Sequence, residues 1–201
     1  MPGLIDTHCH VLGSSVKVAE IENQPLTYVA QYARKMLSHA LSCGFTAVRD
    51  VGGGDAGIAR AVEDGLIDGP RVYFAGRAAA RSPLHQDHDV RRRVVSGRSH
   101  LDGSVPDEEI EVAIEESRRR RKYVAAHCHP AESIARAARL GVRTIEHATL
   151  IDEASAQAVK KADAYVVPTL VIVRALLDAS ASAGLPLRDG PARTPAHPTG
   201  A

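Results

Sequence analysis

Five histidines stand at positions where imidazoles from different parts of the chain could share one ion. His8 and His10 lie in Asp6-Thr7-His8-Cys9-His10. Residues two apart on an extended strand project to the same face, so the two rings converge while Cys9 points away. Two neutral imidazoles at a strand end suit a borderline divalent ion such as zinc. Alone, a His-x-His pair serves equally well in a polar core. This pair has company: Tyr123-Val-Ala-Ala-His127-Cys128-His129 and Thr144-Ile-Glu-His147 each end an apolar run, so His127 and His147 offer one ligand apiece from adjacent strands. His129 shares the face of His127 two residues further out, as an outer partner or pocket residue. Arg49 and Asp50 end another strand and are pocket candidates without an assignable role, and His85 is a further one in a loop. His39, His88, His100 and His197 read as surface residues.

The elements that must position these rings follow a regular rhythm. β-Branched apolar runs predict strands over Gly3–Val11, Thr46–Val51, Arg71–Ala78, Arg93–Gly97, Tyr123–His129, Thr144–Thr149 and Tyr165–Ile172. In Gln24–Cys43 the apolar residues Val29, Ala33, Met36, Leu37, Ala40 and Leu41 recur at helical spacing, with Gly44 beyond the end. Further helices are expected over Asp107–Lys122, where Ser104-Val-Pro-Asp107 reads as a cap, Ala131–Leu140, closed by Gly141, and Asp152–Ala162. Gly52-Gly53-Gly54-Asp55 suits either a tight turn into a helix or close approach of backbone to a ligand. Strand, helix, strand with short connections signifies parallel βαβ units. Ligand-type residues at the C-terminal ends of three strands favour a barrel over an open sheet, because barrel active sites are built on that face.

The motifs resemble those of the amidohydrolase superfamily. Pro2-Gly3-Leu4-Ile5-Asp6-Thr7-His8-Cys9-His10 is similar to the opening of its barrel. Phe45-Thr46-Ala47-Val48-Arg49-Asp50-Val51-Gly52-Gly53, the segment from Gly69-Pro70-Arg71 to Gly76-Arg77, Thr144-Ile145-Glu146-His147 and Val167-Pro168-Thr169-Leu170 resemble its imidazolonepropionase-like and prolidase-like branch. The resemblance runs from residue 2 to about residue 180. It implies a TIM-like (β/α) barrel, with His8 and His10 on one divalent metal, most simply zinc, and His127 and His147 on a second. A carbamylated lysine on the fourth strand would bridge the two, and an aspartate after the eighth would shuttle the proton. Hydroxide activated by the metals would then attack an amide, lactam or dipeptide carbonyl.

The chain departs from that pattern in two places. The fourth strand reads Asp89-Val-Arg-Arg92-Arg93-Val-Val-Ser96-Gly97, with Arg92 where the lysine is expected. A guanidinium keeps its proton and cannot form the carbamate. Of the lysines, Lys122 sits at the wrong end of its strand, while Lys17, Lys35, Lys160 and Lys161 fall in loops or helices. Asp87 and Asp89 are weak substitutes. The connection Arg81–Arg92 is near the minimum for a parallel crossover. About seven strands are expected where a barrel needs eight, so residues 1–185 read as an incomplete barrel segment without the third helix and the eighth strand. Its unpaired edges would favour homo-oligomers. No catalytic acid or base is assignable, and residues 186–201, with four prolines, read as a disordered tail.

Composition narrows the classes. Lys and Arg total 25 against 24 for Asp and Glu, and aromatics are 3%, which argues against a nucleic-acid partner. Arg118–Lys122 reads as the solvated last turn of a helix whose first turn is acidic. No apolar run reaches the length of a membrane span, and Met1–His10 lacks the pattern of a signal peptide. Three sparse cysteines suit the cytoplasm, as small core fillers. The partner expected is a small amide or peptide substrate. Two other readings compete. One is a non-catalytic remnant that still binds metal. The other is a TatD-type metal-dependent deoxyribonuclease, which shares the opening motif but needs a bridging glutamate segment that this sequence lacks.

Overall fold

The computed structural model describes residues 2–13, 23–76, 95–97, 105–172 and 174. His85, Asp87, His88, Asp89, Arg92, His100, Lys17, the region where the third helix was expected to be missing and the tail 186–201 lie outside the described residues. Residues Met1–Pro168 form one compact unit and Thr169–Ala201 a second.

Seven parallel strands are seen among the described residues: β1 (Leu4–Cys9), β2 (Phe45–Asp50), β3 (Arg71–Phe74), β4 (Val95–Gly97), β5 (Val124–Pro130), β6 (Thr144–Leu150) and β7 (Tyr165–Val167). They form a three-stranded sheet, β1-β2-β3, and a four-stranded sheet, β4-β5-β6-β7. Every pairing is parallel and between sequence neighbours. Helices α1 (Leu26–Ser42), α2 (Ala56–Glu63), α3 (Asp107–Arg119), α4 (Ala131–Leu140) and α5 (Glu153–Lys161) supply the crossovers.

Each helix is there because its apolar residues repeat along one side. In α1, Val29, Ala33 and Leu37 recur four apart and are buried. Ala33 and Leu37 pack with Val48, Ile58, Val72 and Phe74 into one core beneath the first sheet. Ile110, Ile114, Ile134, Ala137, Ala138, Val142 and Ile145 make the second core, beneath β5 and β6. Gly141 ends α4 at φ 101°, a left-handed angle that glycine adopts without strain.

Several boundaries differ from expectation. The strand expected over Tyr165–Ile172 stops at Val167, because Pro168 has no N–H to extend the ladder, and residues 170–172 take helical backbone. β1 stops at Cys9, since Val11 donates its N–H to the Asp50 carboxylate and not to a ladder. α3 begins after Pro106 with no side-chain cap. The capping box is found instead at α5, where the Asp152 carboxylate accepts from Ser155 N–H and the Ser155 hydroxyl accepts from Asp152 N–H. Asp55 caps α2, so the glycine-rich stretch does lead into a helix. The basic run at the end of α3 is solvated and pairs with its own helix, Arg119 with Glu115 and Arg120 with Glu116. Of the cysteines, Cys128 fills the core, Cys9 is half-buried and Cys43 is exposed, which corrects the expectation of three core thiols. Among the described residues, no helix is long and apolar enough to cross a membrane.

Candidate metal centre

The C-terminal ends of β1, β5 and β6 bring His8, His10, His127, His129 and His147 together. His8 sits edge-on to His10 and His127, with centroids 5.4 and 5.1 Å away, and 4.6 Å from His147. His10 stacks on His127 at 5.7 Å. His129, one strand position outward, stacks on His147 at 4.8 Å and bonds through Nδ1 to Thr149 Oγ1 at 2.9 Å. Nδ1 of His127 and Nε2 of His147 lie 2.8 Å apart. Ligand atoms of His8, His127 and His147 all fall within 4.8 Å of one another.

Alternation positions most of these side chains. His127 and His129 share one face of β5, and Cys128 faces the core, where burial pushes its thiol up to about 12. β6 departs from the rule. Glu146 and His147 are consecutive and should point to opposite faces, yet Glu146 bonds to His8 and His147 bonds to His127. The departure coincides with left-handed backbone at His147 (φ 71°) and Ala148 (φ 48°). Such angles cost a non-glycine residue about 1–3 kcal/mol and cluster where geometry serves a site.

Around the rings lies a polar shell. Glu146 is fully buried. Its Oε2 lies 2.8 Å from His8 Nδ1, and its Oε1 accepts from Arg49 Nη2 at 2.8 Å and from the Thr144 hydroxyl at 2.7 Å. Arg49 also donates to Thr144 Oγ1, Tyr123 OH and the Thr7 carbonyl. Asp50, equally buried, accepts backbone N–H bonds from Val11, Gly52 and Gly54. Burial pushes its carboxyl up, and those N–H groups with the nearby His10 oppose the rise. The Gly52 carbonyl lies 2.8 Å from His10 Nδ1. Arg49 and Asp50, the pocket candidates at the end of β2, are placed in this shell, Arg49 against Glu146 and Asp50 against the turn that carries Gly52. Glu146, Thr144 and Tyr123 were missed; a carboxylate just before the ligand-type His147 was the one signal available.

The donor set fits a borderline divalent ion. Imidazole nitrogens are suitable ligands when neutral. His147 is held neutral down to about pH 4, chiefly by burial and then by the neighbouring His8 and His129, with Glu146 opposing. Cys9 is no competitor as a thiolate, since burial and the carboxylates of Asp50 and Asp6 drive its pKa far up.

Residues 1–186 match the model of the amidohydrolase family. Ochratoxinase of Aspergillus niger is 26% identical over 88% of this chain and 49% of its own length. The chain therefore spans about half the length of the curated relatives it matches. A solved amidohydrolase structure is 32% identical with a TM-score of 0.80, over 92% of this chain and 57% of that one. A prolidase complexed with N-methylphosphonate-L-proline is 33% identical with a TM-score of 0.78, over the same shares. These neighbours imply a TIM-like barrel, in keeping with the all-parallel strands and helical crossovers.

Proposed function

This chain belongs to the amidohydrolase family, and from that premise we propose that it is a metal-dependent hydrolase of a C–N bond in an amide, lactam or dipeptide. The observation that carries the proposal is the convergence of His8, His127 and His147, with His10 beside them. These four histidines hold the metal, most simply zinc. When bound, a divalent ion supplies Lewis acidity toward a carbonyl oxygen and lowers the pKa of water. The protein's own part is to present lone pairs in fixed directions, which the buried acceptors on His8 and His10 favour. His129 borders the site, stacked on His147, and Arg49 supports it from within through Glu146. The solved prolidase at 33% identity makes dipeptides ending in proline the first substrates to try.

A second reading has its own support. Arg92 stands where the resemblance puts the bridging lysine, so the chain could bind metal without turning substrate over. One experiment separates the two. The purified chain is assayed for bound metal and for hydrolysis of Xaa-Pro dipeptides and aryl amides, before and after chelation. Hydrolysis lost on chelation and restored by zinc supports the enzyme. Tight zinc without hydrolysis supports the scaffold, and no zinc binding sinks both.

A further inference from the structure

We propose that Arg49 and Asp50, neighbours at the end of β2, are positioning residues that set the tautomers of His8 and His10, each through one intermediary acceptor. The inference rests on the reading of these histidines as metal ligands. An imidazole can carry its single proton on either nitrogen, and the acceptor that one nitrogen meets decides which.

For His8 the acceptor is Glu146. A carboxylate accepts and does not donate, so the 2.8 Å contact puts the proton on His8 Nδ1 and the lone pair on Nε2. The Glu146 carboxylate is fixed in turn by Arg49, whose Nη2 binds its other oxygen at 2.8 Å while Nε holds the Thr7 carbonyl beside His8. For His10 the acceptor is the Gly52 carbonyl, which likewise demands the proton on Nδ1. Asp50 shapes the turn that presents it, gripping Gly52 N–H and Gly54 N–H with one oxygen and Val11 N–H with the other. The turn fits so closely that a Cβ at Gly54 would lie 2.8 Å from the Asp50 carboxyl carbon. Consecutive residues of β2 thus each act on one histidine of the pair, Arg49 through Glu146 and Asp50 through the Gly52 turn. Both rings are left with Nε2 as the lone-pair nitrogen.

The test is ¹H–¹⁵N correlation spectroscopy of histidine rings in the metal-free 201-residue chain at about pH 8, followed by zinc titration. In the wild type, His8 and His10 should both appear as the Nδ1–H tautomer. Glu146→Gln should invert His8 alone: two donors, Arg49 and Thr144, hold the amide oxygen, so the amide NH₂ faces His8 Nδ1. Asp50→Asn, or Gly54→Ala as an independent way to disturb the same turn, should release His10 alone into a mixture. Each variant should weaken zinc binding about 10–100-fold. An Nε2–H tautomer at either ring of the wild type overturns the proposal, and so does a folded variant that alters the other histidine. The wild-type spectrum decides even where a variant does not fold. Correct tautomers in a protein that binds no zinc would count against the metal reading and not against the positioning.

Discussion

Arg49 and Glu146 face each other across the two sheets at 2.8 Å, with side chains 10% and 0% exposed. They lie 97 residues apart in the chain. β2 belongs to the first sheet and β6 to the second, so this contact ties the two halves of the sheet system together beneath the histidines. Among the described residues, Glu146 bonds to His8, Arg49 and Thr144.

That pairing predicts a large penalty for breaking it from one side. Arg49→Met leaves the Glu146 carboxylate buried without its countercharge, which should cost about 3–5 kcal/mol in chemical denaturation. A double variant, Arg49→Met with Glu146→Leu, should recover most of the loss, because no charge is then stranded. Additive losses in the double variant would show that the two residues act separately.

The metal-free protein should lose stability as the solution is acidified. His147 titrates near pH 4 in the folded chain against 6.5 for the ordinary group. Between those values the unfolded chain takes up a proton at residue 147 that the folded chain refuses, so falling pH favours unfolding. Stability attributable to this group is present above about pH 6.5 and declines toward pH 4. Unfolding midpoints measured across that window should flatten in His147→Gln, and an unchanged slope would rule His147 out as the cause.

Zinc should stabilise the folded chain by mass action. At a free concentration one hundred times the Kd the gain is about 2.7 kcal/mol. Thermal unfolding of the apo protein with and without zinc reads this directly. His127→Ala should abolish most of the shift, whereas His39→Ala, on α1, should leave it intact.

The thiols should divide by location. Cys128 is fully buried and its thiol is pushed up to about 12, so it should resist alkylation at pH 8 in the native protein. Exposed Cys43 should react readily. Mass mapping after a short iodoacetamide pulse checks both, and rapid labelling of Cys128 would mean that β5 opens locally.

Much of this protein was legible in the sequence because the relevant physics is local. Period-two alternation places His8 with His10 and His127 with His129, and puts Cys128 in the core. Four-residue spacing of Val29, Ala33 and Leu37 marks the buried side of α1, and Gly141 ends α4 as a glycine at a left-handed angle should. Strand ends bearing ligand-type residues direct attention to one face of the fold. Where local rules competed, boundaries slipped: Pro168 cut β7 short, and Asp50 drew Val11 off the end of β1.

The shell around the histidines could not be read that way. Glu146 next to His147 breaks alternation, and only packing that holds φ at 71° and 48° on two non-glycine residues turns both side chains toward the centre. The partners of Glu146, His8 and Arg49, lie 138 and 97 residues away, and nothing in their spacing records the contact. The residue types at strand ends were determined by the sequence itself, since a strand's periodicity is written in consecutive residues. Which nitrogen of each ring faces the site was decided by tertiary structure alone, because a tautomer is set by the acceptor that folding delivers.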